Sequence, residues 1–359
     1  VNSSSVFIMN SLPSVSVSLN MTSSNNVTTD NLTGYVTASD LDGDSVYNIT
    51  DWRFNGNSFS VLNMPFASDS TNGTASLNGS TLDYSSYLNN ATVANALYNE
   101  SCNSGYDGSG CYEFDGSGDY ISVVDENIPP SGSSFALSAW VYPHVMDGYR
   151  VIAGKTDNTE HEGWIISLDA SGNIFAFNYG TNWRATVSLG ADAFQANEWA
   201  HMVFIWDYDN DQMRVYKNGL NKKNATETAE ILAATNNFVI GIDPRDVTGY
   251  DFDGLIDEVK VFDKVISDEY ILNLYNSSEF SSSETSKGEL WSVCVTPDDL
   301  AGVGSTVCSS NVTILNSVPL VSSVALNSTS DNNLTSDNLT GYVVSSDDDS
   351  DNLTYAYNW

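Results

Sequence analysis

Part of the chain occurs twice, and this repeat limits the possible folds more than any other feature of the sequence. The segment LTGYVTASDLDGDSVYNITDW at 32–52 returns as LTGYVVSSDDDSDNLTYAYNW at 339–359. Leu19 aligns with Leu326 in the same register, which gives an offset of 307 residues. Similarity at a fixed spacing indicates tandem copies of one folding unit. We therefore expect one complete period followed by the first part of the next.

A second pair of similar segments extends the repeat upstream. The segment VNSSSVFIMNSLP at 1–13 matches VCSSNVTILNSVP at 307–319. We predict that residues 1–12 are the last strand of a preceding repeat and that 319–359 are the first half of the next one. Half a repeat exposes an unpaired sheet edge. We expect such an edge to continue into further repeats or to be completed by β-strand addition from another copy of the chain.

The repeat unit is predicted to be a β-sandwich, because short alternating runs are separated by Asn, Asp and Gly turns. DWRFNG at 51–56 resembles an immunoglobulin-type strand C, whose Trp packs between the sheets. LWSVCVTPDD at 290–299 resembles strand F, and STVCSSNVTI at 305–314 resembles strand G. Too many residues separate strands C and F for a loop. The Ig-like domain is therefore predicted to be discontinuous, at 13–57 and 284–318.

The insert at 58–276 consists of strand-like runs that carry large aromatic residues. Its successive motifs are YEFDGSGDYI, FALSAWVYP, EWAHMVFIWD, VYKNG and GLIDEVKVFDKVISDEYI. In this order they resemble the laminin-G-like branch of the concanavalin A-like lectin/glucanase superfamily. The resemblance implies two curved antiparallel sheets, frequently a structural Ca²⁺, and a carbohydrate- or protein-binding edge or concave face. The predicted fold class is all-β, a concanavalin A-like jelly-roll sandwich inserted into an Ig-like β-sandwich and flanked by partial Ig-like repeats.

One short helix is expected at the end of the insert, at 267–276. Ser267 is the predicted N-cap, and Ile271, Leu272 and Tyr275 form the predicted buried stripe. The apolar content then falls sharply, so we interpret 276–286 as a linker that leads back into the Ig-like domain.

The charge balance excludes several classes of partner. The chain has 12 Lys and Arg against 46 Asp and Glu, a formal charge of −34. Such a surface repels nucleic-acid backbones and anionic lipid headgroups, so we expect no nucleic-acid partner. No apolar run is long enough to cross a bilayer, so no membrane insertion is expected.

The four cysteines form two close pairs in sequence, Cys102 with Cys111 and Cys294 with Cys308. Of the three possible connectivities, two local bridges are the simplest. The second bridge would staple the predicted F–G hairpin. Disulfides indicate an oxidising compartment, so an extracellular or cell-surface location is expected.

Sequons for N-glycosylation agree with that location. Sixteen Asn residues occupy N-x-S/T, and only Asn224 of these lies between 102 and 275. We interpret the two flanking regions as glycan-bearing. The predicted sites are Asn20, Asn26, Asn31, Asn48, Asn72, Asn78, Asn90, Asn99, Asn276, Asn311, Asn327, Asn333, Asn338 and Asn352.

The family resemblance also suggests where calcium would bind. The positions that match are Asp257 in the closing strand and Asp115 and Asp119 in the FDGSGD turn. Oxygen ligands of this kind suit Ca²⁺ rather than a transition metal. The alternative is that these residues only form hydrogen bonds within a turn.

Catalysis is not expected. The glucanases of the superfamily carry E-x-D-x-x-E on one strand, and this triplet does not occur in the chain. Trp183 and Arg184 could stack on a sugar ring and are the candidate ligand-binding residues, although ordinary packing is the alternative.

The function expected from the sequence is a non-enzymatic extracellular repeat glycoprotein with a structural or adhesive role. It would belong to a cell-surface stalk or filament assembled head to tail, with the laminin-G-like domain displayed laterally. Its partners would be copies of itself or adjacent repeats, joined by Ig-like strand complementation, with glycans as further candidates. The alternative is a carbohydrate-binding module of a larger secreted degradative enzyme.

Overall fold

The computed structural model describes residues 9–102, 107–124, 128, 133–156, 163–178, 183–226, 234, 236–245, 249–276, 279–330 and 332–359. At 177–178 and 183–186 it describes the backbone alone. The described chain is nearly all strand, which confirms the all-β prediction. None of its helices has the length and apolar character needed to span a bilayer.

The elements follow one another along the chain with short connections. The strands are β1 (Ser14–Met21), β2 (Leu32–Ser39), β3 (Tyr47–Phe54), β4 (Asn57–Ser58), β5 (Leu62–Met64), β6 (Gly79–Thr81), β7 (Ala91–Ala94), β8 (Leu97–Asn99), β9 (Cys111–Asp115), β10 (Tyr120–Val123), β11 (Phe135–Pro143), β12 (Arg150–Thr156), β13 (Gly163–Leu168), β14 (Ile174–Asn178), β15 (Trp183–Val187), β16 (Ala200–Asp207), β17 (Gln212–Lys217), β18 (Leu220–Thr226), β19 (Phe238–Ile240), β20 (Asp253–Phe262), β21 (Leu290–Asp298), β22 (Val307–Cys308), β23 (Val312–Thr313), β24 (Leu320–Ser328) and β25 (Leu339–Ser346). The helices described are α1 (Asp268–Asn276) and two 3-10 turns at Gly190–Asp192 and Ser282–Glu284.

Two large antiparallel sheets form the inserted domain. One has the order β15-β14-β13-β12-β19-β10-β7-β6, and the other has the order β18-β17-β16-β11-β20-β9-β8, with β5 also paired to β20. The main hydrophobic core lies between them and includes Phe114, Phe204 and Phe238. Removing this much apolar surface from water is the main stabilisation of such a sandwich.

The second of these sheets is buried on both faces, which explains its continuous apolar strands. In β11, Leu137 and Ala139 belong to the main core, whereas Ala136 belongs to a second buried cluster on the opposite face. In β16, Phe204 and Ile205 divide in the same way. Alternate side chains of a strand point to opposite faces, so burial on both faces removes the polar half of the pattern.

The Ig-like part consists of two smaller sheets. β3 pairs along its whole length with β21, which also pairs with β22 and β23, and β1 forms a hairpin with β2. Cys294 lies directly opposite Cys308 in the β21–β22 pair. Both predicted disulfides, Cys102–Cys111 and Cys294–Cys308, are present, so the local pairing is confirmed.

The second buried cluster joins the Ig-like sheets to the inserted domain. It contains Ile205 and Phe262 from the inserted domain together with Trp291 and Val293 from β21. Phe280 is fully buried at its centre, with its ring centroid 4.4 Å from that of Trp291. The predicted linker at 276–286 therefore contributes a core residue.

The predicted helix is present, with one difference in its buried face. The Ser267 side chain accepts a hydrogen bond from the N–H of Tyr270 at 3.1 Å, as expected for an N-cap. Ile271 and Tyr270 are buried, whereas Leu272 is 38 % exposed, so the prediction for Leu272 is wrong.

The hairpin β24–β25 reproduces the hairpin β1–β2. Leu19 lies opposite Gly34, and Leu326 lies opposite Gly341, so the register is the same at an offset of 307 residues. The division of the chain into domains stays a prediction. Residues 1–8, which make up most of the predicted strand 1–12, lie outside the described residues.

Candidate functional sites

The turn between β9 and β10 collects carboxylates. The Asp119 Oδ2 atom accepts the Asp115 N–H at 2.8 Å, and Asp251 Oδ2 accepts the Gly118 N–H at 2.9 Å. Burial raises the pKa of Asp119 to about 6, and the charges of Asp115 and Asp251 act in the same direction. The turn thus contains the hydrogen bonds of the alternative interpretation and also groups oxygen atoms of the kind that Ca²⁺ prefers.

Asp257 does not belong to this turn. The strand register pairs Asp253 with Asp115, which places Asp257 four residues further along β20. Its carboxyl group is fully buried, and Oδ1 accepts the Glu258 N–H at 2.8 Å. Burial raises the pKa of Asp257 well above its usual range. The expectation of one site with all three residues is therefore corrected: the structure groups Asp115 with Asp119 and keeps Asp257 apart.

Sequence reasoning missed Asp251, which completes the turn from a distant part of the chain. It is 133 residues from Gly118, whose N–H it accepts. The available signal was the acidic run DFDG at 251–254, directly before the LIDEV motif.

A further group of carboxylates lies in the loop after β2. Asp40, Asp44 and Asp299 offer oxygen atoms that all lie within 4.8 Å of one another. Asp40 Oδ1 accepts the Asp42 N–H at 2.7 Å, and Asp40 Oδ2 is buried without a hydrogen-bond partner among the described residues. These side chains could hold a cation. The signal in the sequence was the D-L-D-G-D spacing at 40–44, which the analysis did not single out.

The corresponding loop of the second hairpin groups its carboxylates in the same way. Asp347, Asp349 and Asp351 lie within the same mutual distance. At the offset of 307 residues they align with Asp40, Asp42 and Asp44.

The middle carboxylate of each loop holds the segment that leads into its own repeat. Asp42 Oδ2 accepts the Ser11 N–H at 2.8 Å. Asp349 Oδ2 accepts the Ser317 N–H at 2.5 Å. The contact between the entering segment and the hairpin loop is therefore the same in both copies.

The two hairpins differ in what covers their inner faces. Leu19 and Leu32 are 8 % and 0 % exposed, because they belong to the cluster around Phe280. The aligned Leu326 and Leu339 are 57 % and 55 % exposed. An apolar sheet face of this kind is typical of a surface that binds another protein segment.

The remaining predicted sites divide by exposure. The side chains of Trp183 and Arg184 lie outside the described residues, so their ligand-binding role stays a prediction. Eleven of the predicted glycosylation sites are exposed, and Asn26, Asn31 and Asn99 are half-buried. Both amide atoms of Asn31 are engaged, because Nδ2 donates to Glu279 at 3.2 Å and Oδ1 accepts the Ser282 N–H at 2.9 Å.

Comparison with known families identifies the inserted domain. Residues 115–272 match the family model Laminin_G_3, described as the concanavalin A-like lectin/glucanases superfamily. These residues form a laminin-G-like domain. The match confirms the resemblance carried by the motifs of the insert, and the laminin-G-like domain has the lectin-like jelly-roll fold of that superfamily. No match to the chain was found among curated proteins.

Several solved structures are similar to the laminin-G-like part of the chain. One is domain 4 of AbnA, an extracellular GH43 arabinanase from Geobacillus stearothermophilus in complex with arabinotriose, with 16 % identity, a TM-score of 0.46, and coverage of 63 % of this chain and 99 % of that one. The binding domain of Paraclostridial Mosquitocidal Protein 1 has 17 % identity, a TM-score of 0.47, and coverage of 61 % and 52 %. The botulinum neurotoxin serotype G binding domain has 14 % identity, a TM-score of 0.45, and coverage of 60 % and 50 %. The chain thus spans about half the length of each toxin binding domain.

Proposed function

We propose that the protein is a non-enzymatic structural or adhesive glycoprotein of the cell surface, built from tandem repeats. The Ig-like units would form a stalk or filament, and each laminin-G-like domain would project from it laterally. The observation that carries the proposal is the second hairpin, which repeats the register of the first while its inner face stays uncovered.

The first repeat indicates what covers that face. The β1–β2 hairpin packs against Phe280 and Val293, which follow the inserted domain in the chain. Burying a Leu side chain contributes about 1.5–3 kcal/mol, so covering Leu326 and Leu339 favours association. The occupant would be the corresponding strands of another repeat, further along the same protein or from another copy.

Contacts at the second joint support a fixed arrangement of successive units. Lys287 Nζ forms an ion pair with Asp351 at 2.6 Å, and the Thr28 and Ser317 hydroxyl groups are 2.8 Å apart. Val27 and Leu315 form a parallel bridge. A joint that recurs identically from unit to unit generates an open, head-to-tail assembly rather than a closed ring.

The surface of the chain agrees with an extracellular location. The two disulfides, the exposed sequons and the formal charge of −34 suit a glycosylated protein in an oxidising, ion-rich medium. Calcium at Asp115 and Asp119, and glycan binding by the laminin-G-like domain, belong to the same proposal.

The test compares the chain with a version extended by its own repeat. Because Trp359 aligns with Trp52, residues 53–318 are added after Trp359 to complete the second unit. In the chain of 359 residues, the β24–β25 face should bind the dye ANS, and its amide protons should exchange quickly. In the extended chain, dye binding should disappear and the same amides should become protected.

Matched variants separate the inner face from the outer one. Leu326→Ser should destabilise the second unit of the extended chain by about 3 kcal/mol. Tyr342→Ser, on the opposite face and 54 % exposed, should change its stability by less than about 0.5 kcal/mol. If β24–β25 is fully protected and dye-free without the extension, the hairpin is a closed unit. The stalk proposal then fails, and the carbohydrate-binding module replaces it.

A further inference from the structure

A cavity of about 530 Å³ lies between the laminin-G-like domain and the Ig-like sheets. Its floor is the outer face of β11, β16 and β20, which presents Ser138, His201 and Lys260. Its opposite wall includes Val36 of β2 and Trp52 of β3. Cavities of roughly 300–1,000 Å³ between domains are typical sites for small molecules. The cavity is separate from the core between the two large sheets.

Two buried polar atoms in the cavity wall have no hydrogen-bond partner in the described part of the chain. His201 is 2 % exposed, and its Nε2 lies 2.8 Å from the Ser138 hydroxyl, whereas Nδ1 has no partner. Asn63 is 1 % exposed, and its Nδ2 donates to the Thr50 carbonyl at 3.0 Å, whereas Oδ1 accepts nothing. An unpaired buried polar atom costs about 1–3 kcal/mol, so a ligand that satisfies both atoms gains that free energy.

The charges around the cavity exclude an anionic ligand. Asp107, Glu258 and Glu279 line it, and Lys260 pairs with Glu258. The remaining negative charge repels anions. Burial lowers the pKa of His201 to about 3, so its ring is neutral at physiological pH and can form hydrogen bonds with uncharged hydroxyl groups.

We propose that this cavity binds a neutral, sugar-sized polyhydroxyl molecule. Hydroxyl groups of the ligand hydrogen-bond to His201 Nδ1 and Asn63 Oδ1, and the half-buried Trp52 supplies an apolar surface for its ring. The carboxylates at the cavity accept further hydroxyl protons, and Lys260 donates. Since the walls come from two domains, the bound ligand also stabilises their mutual arrangement.

The test uses the full chain and a panel of neutral sugars: glucose, galactose, mannose, N-acetylglucosamine, xylose and arabinose. Saturation-transfer NMR and titration calorimetry should show that at least one binds with a Kd of about 1 mM or tighter. Ethanolamine and inorganic phosphate serve as cationic and anionic probes and should bind at least about tenfold more weakly than that sugar.

Two neighbouring positions on β2 provide a matched pair of variants. Val36→Trp fills the cavity and should weaken sugar binding at least about tenfold. Thr37→Trp adds the same side chain on the exposed face of the strand and should leave the affinity unchanged. Thermal melts check that both variants fold. If Val36→Trp does not fold, Lys260→Met takes its place and should weaken binding about threefold or more.

Three results would overturn the proposal: no sugar of the panel binds, ethanolamine binds more tightly than every sugar, or the cavity variant binds as the wild type does. The last result would place sugar binding elsewhere on the molecule. None of them affects the stalk proposal, which depends on amide exchange in β24–β25 and requires no ligand.

Discussion

Phe280 is the residue at which we expect the Ig-like part and the laminin-G-like domain to be most strongly coupled. Its ring centroid lies 4.4 Å from that of Trp291, 4.8 Å from that of Tyr270 and 4.9 Å from that of Phe59. Its backbone exchanges two hydrogen bonds of 2.9 Å with Leu32. Phe280→Ala keeps these backbone bonds and removes the ring, so it isolates the contribution of side-chain packing.

The expected loss follows from the contacts of the ring. Truncating a buried Phe to Ala costs about 3–5 kcal/mol. Each aromatic pair adds about 0.5–1.5 kcal/mol beyond the area that it buries, and Phe280 forms such pairs with three rings and a further one with Trp52 at 5.1 Å. We therefore expect a value near the upper end, about 5 kcal/mol. That is a third or more of the roughly 5–15 kcal/mol that stabilises a typical domain.

The loss can be measured by urea unfolding, followed by circular dichroism and tryptophan fluorescence, with calorimetry to count the transitions. The wild type should unfold in one transition for residues 9–318, and Phe280→Ala should lower the stability reported by both signals. Leu77→Ala, at a site that is 74 % exposed, is the control and should cost less than about 0.5 kcal/mol. A loss below about 2 kcal/mol, or a shift of the Ig-like transition alone, would refute the coupling.

Three other outcomes can be measured on the same protein. Replacing Cys294 and Cys308 together by Ala should cost about 3 kcal/mol in urea unfolding, because the bridge closes a loop of 14 residues; a loss below about 1 kcal/mol would contradict this. With calcium removed, stability should fall as the pH rises from 3.8 to about 6, because folded Asp119 keeps its proton in that window and the unfolded chain does not; Asp119→Asn should flatten this slope, and an unchanged slope would show that Asp119 does not cause it. Glycopeptide mapping should find a glycan on the exposed Asn20 and none on Asn31, whose amide is engaged; a fully occupied Asn31 would contradict the hydrogen bonds seen there.

Local patterns in the sequence were sufficient for the repeat, the helix cap and the disulfides. The register of β1–β2 and β24–β25 depends on alternation within a few residues, so the alignment of Leu19 with Leu326 carried over to the structure unchanged. Ser267 caps α1 through a contact of three residues. Each cysteine pair is close in sequence, which leaves little freedom in pairing.

Burial on particular faces could not be predicted in the same way. Leu272 fits the helical period of a buried stripe, but it lies at the edge of the packed face of α1 and is 38 % exposed. The strand-C Trp52 was expected between the sheets, yet Trp291 of β21 is the more deeply buried ring, at 1 % exposure. Periodicity indicates which side chains share a face, whereas the neighbouring element decides how much of that face is covered.

The sequence by itself determined the period, the strand-rich character and the family of the insert, because each depends on short runs read in order. The tertiary structure alone decided which distant residues meet: Asp251 joins the turn of Asp115, Asp257 is held away from it, and Phe280 turns an expected linker into the centre of a core. The cavity between the domains and the uncovered face of β24–β25 arise in the same way. Contacts between residues far apart in the chain are set by how whole sheets pack, and no local pattern records that packing.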